Sequence, residues 1–334
     1  YIYMVNKYKF PIDYKLSGGS SSNYTNLNTL LLELVKKYEI NLLEMKNINT
    51  EDTIFTYAIR NKDLEHVEFF VNSSIGYINT KNAFGRTPLH IAAETENNSD
   101  IIKYLIDNQA EVNALDKLNF TPLYLAVEHT NNVKVLIENG ADINIVGKYG
   151  YTPLRQAAFV GNNDVIDFLI DENTNINAVD DVDNTPLHIA VEKGHLNIVE
   201  KLINRNANIN LKNIYGNTPL HKAIMSNNIN IIELLINNNA NVNSINNGGN
   251  TPLHVASLDD KIDVIESLIN KNADINFKND QGNTPLHIAT FENNMNVIEY
   301  LIEKNADINV QNNLGNTILH YATFKNNRYL MLSL

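Results

Sequence analysis

Apolar residues along this chain fall into two alternating stripes that recur with a fixed period. The first stripe is short: Leu187, Ala190 and Val191 in one stretch, Leu220, Ala223 and Ile224 in the next. A polar break follows, as at Gly194-His195 or Asn227-Asn228. The second stripe is denser. Its apolar residues stand at i, i+1, i+4 and i+5, as in Ile198, Val199, Leu202 and Ile203, then Ile231, Ile232, Leu235 and Ile236. That spacing lines one face of a helix, whereas a half-buried strand would alternate every second residue. The pattern predicts helix, short turn, helix, repeated down the chain.

A polar punctuation separates successive pairs. Thr-Pro-Leu-His stands at 87–90, 185–188, 218–221, 251–254 and 284–287, with variants at 121–124, 152–155 and 317–320. Successive threonines are 34, 31, 33, 33, 33, 33 and 33 residues apart, and seven of the eight prolines lie in this motif. Two places before each threonine stands Gly85, Asn119, Gly150, Asp183, Gly216, Gly249, Gly282 or Gly315. Gly, Asn and Asp tolerate the left-handed backbone of a tight turn. Threonine suits a helix N-cap, and proline suits the first helical position, where its missing N–H costs nothing. Each motif therefore predicts a turn followed at once by a helix start. Each unit closes on Asn-Ala-Asp/Asn-Ile/Val-Asn, as at 272–276 and 305–309.

The period and the motif resemble the ankyrin repeat. The resemblance covers residues 50–334, about nine copies, and implies an all-α solenoid of helix–turn–helix units with projecting β-hairpin-like loops and a concave binding face. Residues 50–82 read as a degenerate first copy: Thr53 lies 34 residues before Thr87, with Phe55, Ala58, Val67, Phe70 and Val71 in core register. The copy beginning at Asp116 lacks two residues near Asn131-Asn132, which predicts a shortened second helix; the one beginning at Asn82 has one extra near Asn97-Asn98. The last copy stops inside its second helix at an apolar stretch, 329–334, where a terminal repeat would carry a polar face, so the natural chain is expected to continue. Residues 1–49 differ. Gly18–Ser22 reads as a flexible link, and Leu30, Leu31, Leu34, Val35, Leu42 and Leu43 predict one or two helices capping the first copy.

Composition narrows the function. The formal charge of −12 repels phosphate backbones, and no basic cluster stands out, so neither nucleic acid nor an anionic membrane is expected as partner. No apolar run reaches the ~18 residues of a membrane helix. Cysteine is absent, which excludes disulfides, thiolate metal sites and a cysteine nucleophile, and fits a reducing, cytoplasmic setting. Asparagine is abundant, as in 237–239, which an AT-rich coding genome would explain. Sequons at Asn23, Asn72, Asn97 and Asn119 read as coincidental in such a chain.

Catalytic chemistry finds no foothold. Six of the nine histidines, His90, His188, His221, His254, His287 and His320, recur at the fourth motif position. Such periodicity marks a structural role, and the resemblance implies that these histidines tie neighbouring loops together. Asp142, Asp274 and Asp307 repeat likewise, and no phosphate-binding glycine loop is present. No catalytic residue, metal or cofactor is expected.

Binding is the remaining reading. By the resemblance, the loop tips and the exposed face of the first helix contact partners. From residue 83 to 160 these positions are rich in aromatic and basic groups: Phe84, Arg86, Lys117, Leu118, Phe120, Lys148, Tyr149, Tyr151, Phe159 and Val160. Aromatic residues and arginine dominate binding hot spots, so this stretch is the expected partner patch. Later helix positions hold Leu258, Phe291 and Phe324. The expected function is a non-catalytic scaffold or adaptor for a neutral or basic partner protein. Alternatives are a microbial or viral effector acting in host cytoplasm, the targeting part of a larger enzyme or channel, or a substrate for an asparaginyl hydroxylase at Asn276 or Asn309.

Overall fold

A computed structural model describes residues 53–72, 78–171, 173–325, 327, 330 and 331. The expected cap over 1–49 and most of the 329–334 stretch lie outside them. The chain divides into two compact units, Tyr1–Gly76 and Tyr77–Leu334.

In the first unit, α1 (Ile54–Arg60) and α2 (Leu64–Asn72) form an antiparallel-type pair joined by a three-residue turn. Thr53 caps α1, its hydroxyl accepting from the Thr56 N–H. Phe55, Ala58, Val67 and Phe70 are buried, and the rings of Phe55 and Phe70 meet edge to face at 6.0 Å.

The second unit is a run of such pairs. They are α3 (Pro88–Ala93) with α4 (Ser99–Asp107), α5 (Pro122–Leu125) with α6 (Thr130–Glu138), α7 (Pro153–Val160) with α8 (Asn163–Leu169), and α9 (Pro186–Lys193) with α10 (Leu196–Asn204). Then come α11 (Pro219–Met225) with α12 (Ile229–Asn237), α13 (Pro252–Ala256) with α14 (Ile262–Asn270), α15 (Pro285–Glu292) with α16 (Met295–Glu303), and α17 (Ile318–Phe324). No strand occurs among the described residues. First helices pack on first helices of the neighbouring copies, and second helices on second helices. The core is the two predicted stripes: Leu187, Ala190, Val191, Ile198, Val199 and Leu202 are all buried, and so are their counterparts one period on. Each large aliphatic side chain so buried contributes about 1.5–3 kcal/mol.

The shortened copy departs from expectation. Its second helix, α6, keeps nine residues, and the loss falls on α5, reduced to four. The reason is packing. Val133 and Leu136 of α6 are fully buried and α6 packs on neighbouring second helices, so that helix keeps its length and the first helix is shortened instead. The extra residue of the preceding copy lies in the loop before α4, and buried Asn132 from the shortened copy stitches that loop. It accepts from the Asn98 N–H and donates to the carbonyls of Ala93 and Thr95.

Candidate protein-interaction surface

The turn before each first helix is a hairpin-like tip. In the copy at Thr218, Asn213 N–H donates to Asn217 C=O at 3.0 Å and Gly216 N–H to Asn213 C=O at 2.8 Å. The Asn213 carboxamide oxygen accepts from the N–H groups of Tyr215 and Asn217, closing the turn from inside. Gly216 has φ +72°, and a Cβ there would lie 2.6 Å from the Asn247 nitrogen of the next tip. Asn119 and Asp183 take the same left-handed backbone, at φ 57° and 56°.

Single backbone bonds join tip to tip. Lys117 N–H donates to Phe84 C=O, Lys148 to Leu118, Asp181 to Tyr149, Ile214 to Val182 and Asn247 to Tyr215, at 2.7–3.1 Å. The residue at each tip's apex is thereby held in one row.

Behind the tips, the motif histidines perform the tie that the resemblance implies. Thr185 N–H donates to His188 Nδ1 at 3.2 Å, so the ring's proton sits on Nε2, which donates to the Asn217 carbonyl of the next copy at 3.1 Å. His90, His221, His254 and His287 make the same pair of bonds, reaching Phe120, Asn250, Asn283 and Asn316. Burial pushes His90, His188, His221 and His254 down to about 4, and lowers His287, with the carbonyl bonds opposing the shift. They are neutral structural groups at neutral pH. His320 is exposed and bonds Thr317 of its own motif. The atypical His129 also ties copies, its Nε2 lying 3.1 Å from the Glu94 carbonyl.

Asparagine is structural in the same place. Asn213 Nδ2 donates to Asn184 Oδ1, Asn246 to Asn217, Asn279 to Asn250 and Asn312 to Asn283, a side-chain ladder at 2.8–3.2 Å. A second set bridges the opposite loops, where Asn243 donates to Asn272 C=O and accepts from Asp274 N–H. Asn276 accepts from Asp307 N–H at 2.9 Å in the same way. Whatever the coding bias, the asparagines are placed by these bonds.

The expected patch resolves into exposed and committed members. Phe84, Leu118, Tyr149 and Phe159 are exposed, as are Lys117 and Lys148. Lys148 Nζ lies 4.9 Å from the Tyr149 ring centre. Arg86 is half-buried and paired with Glu94 and Asp116. Tyr151 is half-buried beneath the Arg155 guanidinium, 3.7 Å from its ring centre, and Val160 is half-buried. Phe120 contradicts the expectation of an exposed tip aromatic. It is buried, stacked on Tyr124 at 4.0 Å and 8°. The cause is Gly147, which stands where other copies have Asn or Asp: a Cβ there would lie 2.2 Å from Phe120 Cδ1, so the ring occupies the space that side chain vacates. Tyr215 and Met225 are also exposed and were missed; both sit in the same register slots as Tyr149 and Phe159, which is the signal that would have found them. Among the described residues no group of three or more His, Asp or Glu is placed to hold a metal, and no helix is long and apolar enough to cross a membrane.

A family profile described as ankyrin repeats (3 copies) matches residues 20–116, 55–147, 123–213, 187–279 and 259–334. The chain belongs to the ankyrin repeat family, and its all-helical stack is that family's solenoid. A Fowlpox virus (strain NVSL) protein named as an ankyrin repeat protein is 33% identical over 122 residues, 34% of this chain and 64% of the relative. A Rickettsia bellii (strain RML369-C) protein with the same description is 34% identical over 117 residues, 34% of this chain and 62% of the relative. The matched stretch thus spans less than two thirds of either relative. Ankyrin repeats are in general protein-interaction modules without catalytic activity.

Proposed function

We propose that this chain is a non-catalytic scaffold that holds a partner protein on the tip row of its early copies. The observation that carries the reading is the row itself: Phe84, Leu118 and Tyr149 are exposed large side chains set side by side by tip-to-tip backbone bonds. Exposed aromatics in a fixed array are what hot spots are made of. Lys117 and Lys148 flank them, and the exposed Asp181 and Asp183 stand on the next tip, where the Asp181 N–H donates to the Tyr149 carbonyl, so the row carries charge of both signs beside its apolar members. The contacting segment of the partner is therefore apolar, and the chain's formal charge of −12 favours a neutral or basic partner. The viral and bacterial sources of the relatives support a second reading, an effector using the same module inside a host cell.

The test is affinity capture from host or source lysate with mass spectrometry, comparing the chain with Phe84→Ala/Tyr149→Ala. A partner held by the parent chain and lost by the variant, with melting unchanged, is the expected result. Equal capture by both would refute the row.

A further inference from the structure

A second surface stands apart from the tip row and does not depend on it. It lies at the position seven residues after the motif threonine, near the end of each first helix. In early copies this slot is mixed: Glu94, Glu128, Phe159 and Glu192. From Thr218 onward it is apolar four times in succession. Met225, Leu258, Phe291 and Phe324 are 49%, 48%, 40% and 76% exposed. Single exposed apolar residues are ordinary, but four in consecutive register form a continuous stripe. The first helices that carry or precede them, α11, α13, α15 and α17, pack side by side in that order. The members are also preorganised: the Phe291 ring meets Tyr321 edge to face at 5.8 Å and lies 4.2 Å from Lys325 Nζ.

Spacing identifies the occupant. Packed helices stand about 8–10 Å apart. Along a single helix, seven residues make two turns and rise about 10.5 Å, returning to the same face. A helix laid across the stack thus presents every seventh side chain in step with one copy per contact. Charge adds to this. Beside the stripe stand Asp259, Asp260 and Glu292, with Lys261 and Lys325. Both lysines are engaged within the chain, Lys261 with Asp259 and the Ile224 carbonyl and Lys325 over Phe291. Asp260, which accepts from Asn296, and Glu292 have no cation within ion-pair distance among the described residues.

We propose that Met225, Leu258, Phe291 and Phe324 form a docking rail for an amphipathic α-helix of a partner protein, with apolar residues at every seventh position and basic residues beside them. The rail is tested by fluorescence anisotropy with the full chain and a labelled peptide of ~24 residues. The peptide carries leucine at every seventh position, with lysine and arginine beside each leucine and alanine and glutamine elsewhere. A second peptide has the same composition with the leucines re-spaced at fives.

The expected result is saturable binding of the first peptide and at least ~10-fold weaker binding of the second. Leu258→Ser/Phe291→Ser should weaken the first peptide by a similar factor, and Tyr149→Ala should leave it unchanged, which separates this surface from the tip row. Should the double variant melt early, Phe324→Ser, the most exposed member, replaces it with a smaller loss expected. Equal binding of both peptides, or affinity indifferent to these variants, overturns the proposal. So does self-association of the parent chain in sedimentation that the variants abolish, since the rail's occupant would then be a second copy.

Discussion

The copies beginning at Thr121 and Thr152 and those from Thr185 onward share one fold and join their neighbours by different chemistry. In the later copies every described junction repeats a neutral set: threonine cap, buried imidazole, carbonyl, and an asparagine ladder. In the two early copies the fourth motif position is Tyr124 or Arg155. Tyr124 donates its hydroxyl to Gln156 Oε1 at 3.0 Å, and Arg155 reaches Asp180 Oδ2 at 3.2 Å, each in the next copy. The substitutions travel together: Arg155 faces Asp180 where later copies have Asn213, and Phe120 fills the space left by Gly147. The stack thus requires a bridge from the fourth position at each junction, and not histidine as such. The uniform run spends its asparagines on that bridge, and exposed apolar side chains occur at the tips of both, Tyr149 in the irregular copies and Tyr215 and Leu314 in the uniform ones.

The comparison can be broken most severely at Asp180. Asp180→Ala leaves the buried Arg155 charge without its partner, and urea unfolding should show a loss of about 3–5 kcal/mol. Converting the junction to the later chemistry, Arg155→His with Asp180→Asn, should recover most of the loss that Asp180→Asn alone produces; a double variant no better than the single would show that the two chemistries are not interchangeable. On the uniform side, His254→Ala strands the Thr251 N–H and the Asn283 carbonyl and should cost about 2–3 kcal/mol by the same measurement. Gly147→Ala should cost about 1–3 kcal/mol by displacing the Phe120 ring, with a matching loss of tyrosine fluorescence anisotropy as Tyr124 loosens. The smallest effect is at Tyr149, whose φ of 65° is left-handed. Tyr149→Gly should raise stability by about 1 kcal/mol while removing a binding contact, a split visible by comparing melting with partner capture.

Much of this was legible in the sequence because the repeat enforces it. The period, the two helical stripes and the threonine caps at Thr185, Thr218 and Thr251 follow from residue type and spacing alone, and the tying role of the histidines follows from the family resemblance. What escaped depends on pairs of residues from different copies. Phe120 looked exposed because tips are exposed, and only the missing side chain at Gly147 puts it inside. The two-residue deletion looked like a loss from α6 because it falls near Asn131-Asn132, yet burial of Val133 and Leu136 fixes that helix and transfers the loss to α5. Asparagine abundance looked compositional, since a ladder of side chains 29 residues apart has no local signature. The stripe is legible in part: Leu258, Phe291 and Phe324 share the slot seven residues after the motif threonine, and only the exposure of Met225 shows that it begins one copy earlier.

The most direct test uses pH. For the buried motif histidines the folded pKa, pushed down to about 4 in His90, His188, His221 and His254 and lowered in His287, lies below the ordinary value of 6.5 because burial disfavours the charged ring. The unfolded chain therefore binds more protons between those values, and stability is full above about pH 6.5 and falls as pH drops toward 4. The copies at Thr121 and Thr152 carry no imidazole at the fourth position. Between pH 7.5 and pH 5, hydrogen-exchange protection factors should fall in the copy at Thr87, tied by His90, and in the copies from Thr185 to Asn316, and hold in residues 121–160. Uniform loss along the stack, or loss confined to residues 121–160, would contradict the division of this molecule into two junction chemistries.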